Sequence, residues 1–287
     1  EGGRSVVVRH DAAGINRDVT PPPCNARTRV HEYGGGDYVV CDGSVYFSNF
    51  SDQRLYLQAG DAAPRPITPA SQMRFADAII SNRSGSLICV REEHGSEKEA
   101  VNTLVSIKLD GGQPDCGQII VSGNDFYSSP VLSPAGSRLA WLTWNHPQMP
   151  WDTSELWVGD LQVDGTLGQT RCVAGGVDES IFQPAWSPDG VLYFVSDRHG
   201  WWNLYRLSGD QIEPVCEMAA EFGVPQWVFG MSSYAFESAE GIVCSYLERG
   251  LARLARIDTT TGKCTLIESP YTNITYVRAS SGGVVFK

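Results

Sequence analysis

Apolar positions come in runs of four or five residues, rich in β-branched and aromatic side chains. Gly, Pro, Asp and Ser punctuate the connections between them. The stretch 183–215 shows the pattern most clearly. Pro188-Asp189-Gly190 is a turn, because Pro presets φ and Gly accepts a positive one. Leu192-Tyr193-Phe194-Val195 then reads as a strand. A polar connection, 196–203, leads into a second apolar run, Leu204-Tyr205-Arg206-Leu207. Ser208-Gly209-Asp210 turns the chain into a further strand near 212–215. Helical periodicity is absent throughout, and only 218–222 has room for a single helical turn.

This unit repeats. Turn glycines at Gly43, Gly85, Gly136, Gly190, Gly241 and Gly283 are spaced by 42, 51, 54, 51 and 42 residues. Apolar residues opening a short alternating run, at Val6, Leu55, Leu104, Leu156, Leu204 and Leu254, are spaced by 49, 49, 52, 48 and 50. Two independent markers thus share a period near 50. Four antiparallel strands per repeat at that period predict an all-β fold, a β-propeller of four-stranded blades. Strands apolar on both faces fit blades stacked face to face. The count gives five full blades with a half blade at each end. Residues 1–287 are expected to form a single propeller domain, excised from a longer parent that is seven-bladed rather than closed at six.

Charge narrows the partners. Twenty-two Lys and Arg against 33 Asp and Glu give a net charge of −11. That balance argues against nucleic acid and anionic membranes, and leaves peptides, proteins and small molecules. No apolar run is long enough to span a bilayer, and no leader peptide is legible. Eight cysteines without a C-x-x-C spacing, several inside apolar runs, read as free buried thiols. They favour a reducing, cytoplasmic setting. No metal or cofactor motif is expected, since the five His show no ligand spacing.

Candidate chemistry lies in the connections between second and third strands, read as 48–54, 91–103, 143–155, 196–203 and 246–253. The segment beginning Arg91-Glu92-Glu93-His94 is acidic, and paired carboxylates there would hold a cation such as a peptide amine. The segment 141–152 carries Trp141, Trp144, His146 and Trp151. It is too apolar to stand in water, so it packs on a neighbouring blade or on a second domain. His31-Glu32-Tyr33 precedes three consecutive glycines. No helix or Lys follows to make a phosphate cradle, so close backbone approach is the better reading. Trp201-Trp202 suit packing between blades better than a ligand platform. No G-x-S-x-G elbow occurs, so no catalytic residue is assigned.

These strings resemble the propeller domain of prolyl oligopeptidase family serine peptidases, of the acylaminoacyl and dipeptidyl aminopeptidase-like branch. The residues that carry the resemblance are 30–36 with Val45-Tyr46-Phe47-Ser48, Arg91-Glu92-Glu93-His94, the Trp144–Asp152 string and Ser196–Tyr205. The resemblance implies a partner α/β-hydrolase domain in the same parent chain, bearing a Ser-Asp-His triad. It implies a non-catalytic propeller that admits short peptide substrates and excludes folded proteins. It also implies a substrate-binding role for Glu92 and Glu93, with Arg91 beside them. His31, Glu32, Tyr33, Trp144, His146 and Trp151 would line the domain interface or the channel. Two other readings compete with this one: a stand-alone propeller serving as an interaction platform, and a six-bladed metal-dependent hydrolase.

Overall fold

The computed structural model describes residues 3–95, 99–112, 115–280 and 282–287. Among them every regular element is a strand. A hairpin, β1 (Val8–His10) and β2 (Asn16–Asp18), opens the chain. Five four-stranded antiparallel sheets follow, each ordered as the chain runs. The first is β3 (Tyr38–Cys41), β4 (Ser44–Ser48), β5 (Leu55–Ala59) and β6 (Arg65–Pro66). The second is β7 (Met73–Ser81), β8 (Ser86–Glu93), β9 (Val101–Lys108) and β10 (Gln118–Val121). The third is β11 (Phe126–Leu132), β12 (Arg138–Trp144), β13 (Glu155–Leu161) and β14 (Leu167–Gly175). The fourth is β15 (Ile181–Trp186), β16 (Leu192–Ser196), β17 (Asn203–Ser208) and β18 (Gln211–Cys216). The fifth is β19 (Tyr234–Phe236), β20 (Gly241–Glu248), β21 (Leu251–Asp258) and β22 (Cys264–Ile267). A second hairpin, β23 (Arg278–Ser280) and β24 (Gly283–Val285), closes the chain. These are the five blades and two half blades of the β-propeller that the period of 50 foretells.

The chain divides into two compact units. One comprises residues 1–130 with 162–167, and the other 131–161 with 168–287. In the first unit, Tyr46 and Leu55 meet Phe75, Leu87, Cys89 and Val105 of the next sheet in one dry cluster. In the second, Ala140, Leu142 and Leu156 pack on Leu192, Phe194 and Tyr205. Phe182, Tyr193 and Val195 pack on Tyr234, Ile242 and Cys244. Trp202 joins this cluster, whereas its neighbour Trp201 is exposed. All eight cysteines are free, and of these only Cys172 is exposed.

A recurring device tightens the first strands. Asp77 on β7 and Gln183 on β15 both adopt positive φ, at 56° and 48°, where the pairing register slips. A bulge of this kind re-aims a side chain along the sheet stack. The Asp77 Oδ2 accepts the Ser129 N–H at 2.6 Å, and the Gln183 Oε1 accepts the Ser233 N–H at 2.7 Å. Each side chain therefore reaches the first strand of the following sheet, or the segment leading into it. Burial of the Asp77 carboxyl pushes its pKa up to about 6, against the Ser129 hydrogen bond that favours the charge.

Three connections differ from the sequence reading. β8 continues to Glu93 and β12 to Trp144, so Arg91, Glu92, Glu93 and Trp144 lie on strands, not loops. β20 and β21 meet at Arg249-Gly250, with φ of 50° and 80°. That is a two-residue hairpin turn in place of the broad loop expected at 246–253. Charged strand ends look like loop in a sequence, and only cross-strand pairing shows otherwise. The segment 218–222 bends at 219–220 and again at 222, with Glu221 bridged to Leu247, and holds no helical turn.

Two outcomes follow from this packing. A Cβ on Gly223 would lie 1.5 Å from the Trp202 ring, so Gly223→Ala must displace a core indole. Chemical denaturation should register a loss of about 2 to 3 kcal/mol. The folded-state pKa of Asp77 lies above its ordinary 3.8, so its contribution is full at low pH and fades as pH rises through about 6. Asp77→Asn keeps an acceptor for Ser129 and cannot ionise. Melting curves of the two proteins should show the variant gaining on the native chain as pH is raised across that interval.

Candidate functional site

In the first unit, strand register builds a polar row at one end of the second sheet. Arg74 of β7, Glu92 of β8 and Asn102 of β9 are directly opposed across the three strands. Residues opposed in this way project from one face and interact. The Glu92 side chain is only 5% exposed and fully engaged. Its Oε1 accepts the backbone N–H of His31 at 2.9 Å. Its Oε2 accepts the His94 Nε2–H at 2.7 Å and the Arg74 Nη1–H at 3.4 Å. Arg74 Nη1 also donates to the Arg29 carbonyl at 3.1 Å and to Glu32 Oε1 at 3.3 Å.

His31 lies over this row. Its ring hydrogen-bonds the Asn102 side chain and meets Phe126 edge-on at 5.1 Å. Burial depresses the imidazole to about 4, with the Asn102 contact pulling the other way, so the ring is neutral at neutral pH. The backbone here is strained. His31 and Glu32 have φ of 52° and 65°, and Gly34, Gly35 and Gly36 are also positive. A Cβ on Gly34 would sit 2.5 Å from the Thr28 carbonyl oxygen, so close backbone approach explains that glycine. Such a bend persists only where its surroundings over-determine it. The Glu92 carboxylate does that by gripping the His31 amide.

Glu92 and Glu93 are consecutive strand residues, so they leave opposite faces of β8 and do not converge as a pair. Glu93 is half exposed and lies 3.8 Å from Arg91 Nη2, while Arg91 Nη1 donates to the Gly117 carbonyl at 3.4 Å. Glu32 and Tyr33 are exposed. Of the three glutamates Glu32, Glu92 and Glu93, the first and the last are the exposed ones. Arg74, which sequence inspection passed over, is the cation that joins Glu32 to Glu92. It lies 18 residues before its partner, and only the β7–β8 register brings them together.

In the second unit, Trp144 is buried at the end of β12. Trp151 rests on Trp227 with ring centroids 4.4 Å apart, so this loop packs on the segment that enters the fifth sheet. His146 lies between them, on the connection to β13. Met149 and Trp227 leave apolar surface exposed beside it. Glu179 plays a part like that of Glu92. It takes two hydrogen bonds from Arg198, at 3.0 and 3.2 Å, one from the Ser196 hydroxyl at 2.6 Å and one from the Gly175 amide at 3.2 Å.

Among the described residues no cluster of His, Cys, Asp and Glu has the grouping to hold a metal ion. No described helix is long and apolar enough to cross a membrane. No family model and no curated protein sequence matches the chain. Solved structures do. Puromycin hydrolase, also solved complexed with PGG, is 32% identical over 99% of this chain, with TM-scores of 0.91 and 0.92. A puromycin-hydrolyzing peptidase from Mycobacterium tuberculosis is 35% identical over 99%, with a TM-score of 0.91. This chain spans 46% of the length of each. Prolyl oligopeptidase B from Galerina marginata shares the fold at 13% identity and a TM-score of 0.63, over 94% of this chain and 40% of its own. With five blades and two half blades in place, and a likeness along its whole length to these puromycin-hydrolysing enzymes, the chain is a β-propeller that resembles the propeller domain of prolyl oligopeptidase family peptidases.

Proposed function

We propose that this domain is the non-catalytic, substrate-gating part of a serine peptidase that cleaves short peptides. The observation that carries the reading is the 32 to 35% identity, along 99% of the chain, to puromycin-hydrolysing enzymes of which it spans 46%. The remainder of such a parent would supply the α/β-hydrolase domain with its nucleophile. The gate works by exclusion: rigid sheets fix short loops, and a folded protein is too broad to pass between them. The finer placement is aminopeptidase-like, in the acylaminoacyl or dipeptidyl branch. Eight free thiols suit the reducing cytoplasm.

Selection of the substrate amine falls to the exposed carboxylates Glu93 and Glu32. Glu92 has a supporting role, since its oxygens are occupied by His31, His94 and Arg74. Kinetics and stability measurements can test the two roles separately. In the full parent, Glu93→Gln should raise KM for free-amine peptides about three- to fivefold and leave blocked peptides unchanged, as expected for a half-exposed charge. Glu92→Gln should instead lower the melting temperature, with a loss of about 2 kcal/mol for hydrogen bonds to a buried carboxylate. Equal KM values for free-amine and blocked peptides in the native parent would remove amine selection from the mechanism. Efficient cutting of a folded protein would remove the gate.

A further inference from the structure

Residues 26–30 of the first unit alternate, with Ala26, Thr28 and Val30 buried and Arg27 and Arg29 exposed. Period-two alternation places both arginines on one face. Both guanidiniums lie over the same ring, Phe50, at 5.1 and 4.5 Å from its centroid. The platform beneath is pinned. The Arg27 amide donates to the Ser48 carbonyl at 3.0 Å, the Thr28 amide to Asp37 Oδ1 at 2.7 Å, and the Arg29 amide to Gln53 Oε1 at 2.8 Å.

Among the described residues no carboxylate stands within ion-pair distance of either arginine. In a chain carrying a net charge of −11 this is unusual. Asp37 senses the Arg27 charge, but one of its oxygens is committed to Thr28. Two like charges held around one aromatic ring repel each other, and an incoming anion relieves that repulsion. A guanidinium pair offers planar, forked donors matched to a carboxylate.

The geometry points to Arg27, Phe50 and Arg29 as a binding site for a peptide carboxylate, the C-terminal group of a short substrate. The inference rests on the peptide-gating reading. It adds a cationic end to the acidic one, since Glu32 follows Arg29 by three residues and its amide donates to the Arg29 carbonyl at 2.9 Å. A short peptide is a zwitterion, and this segment presents both signs of charge.

The test uses the full parent and the double variant Arg27→Gln/Arg29→Gln, with matched peptides ending in a free acid or an amide. A third peptide carries an acidic side chain and an amidated end. The native enzyme should show a lower KM for the free acid than for the amide. The double variant should lose that preference, with a rise of about tenfold for the acid alone. A gain for the acidic side chain equal to that for the free terminus would identify the ligand as any peptide carboxylate and overturn the terminal assignment. An unchanged acid-to-amide ratio would overturn the site. So would a lowered melting temperature of the variant parent with no change in that ratio, because the arginines would then serve a contact within the parent. Chemical-shift changes at the Arg27 and Arg29 Nε–H groups, read in the parent on titration with the acid and amide peptides, give a readout independent of turnover. Acid-specific shifts without peptidase activity would sink the gating reading and leave the carboxylate site standing.

Discussion

A sheet that is apolar on both faces cannot stand in water alone, and the rest of this structure depends on that constraint. Ser86–Glu93 and Leu192–Ser196 are buried along almost their entire length, as central strands must be when both faces are covered. Each such strand demands a neighbouring sheet on either side. Stacking repeated units is the solution open to a chain built from one motif. Residues in the middle of a sheet are then held from both sides, and loops between strands are carried on a framework that does not yield.

The polar residues that matter sit where this stacking ends. Glu92 and Glu179 are carboxylates at the ends of dry sheets, each saturated by an arginine, a backbone amide and one further donor. Burying a charge in this way is tolerable only when every lone pair finds a donor. The reward is geometric. Glu92 holds a bend in which His31, Glu32 and Gly34 to Gly36 are left-handed and which would otherwise relax. The exposed charges Glu32, Glu93, Arg27 and Arg29 are thereby presented from a pinned backbone.

The same logic separates the two kinds of tryptophan. Trp202 is core, packed where Gly223 leaves room for its ring. Trp151 and Trp227 cover each other at the end of a sheet, and part of Trp227 stays open to solvent.

Local chemistry in the sequence was sufficient to determine the repeat. Turn glycines and runs such as Leu192–Val195 are properties of a few adjacent residues, and their spacing of about 50 fixed the strand count, the five blades and the two half blades. The extent of the strands was less legible, because Arg91, Glu92 and Glu93 are polar and only their partners on β7 and β9 make them strand. The pairing of charges was not legible at all. Arg74 meets Glu92 across 18 residues, and Glu92 meets the His31 amide across 61, through sheet register and sheet stacking. Adjacent glutamates in sequence look like a pair, yet a pleated strand sends them to opposite faces. Short-range patterns are written in the order of residues, whereas the partner of a charge is decided by which strands come to lie side by side.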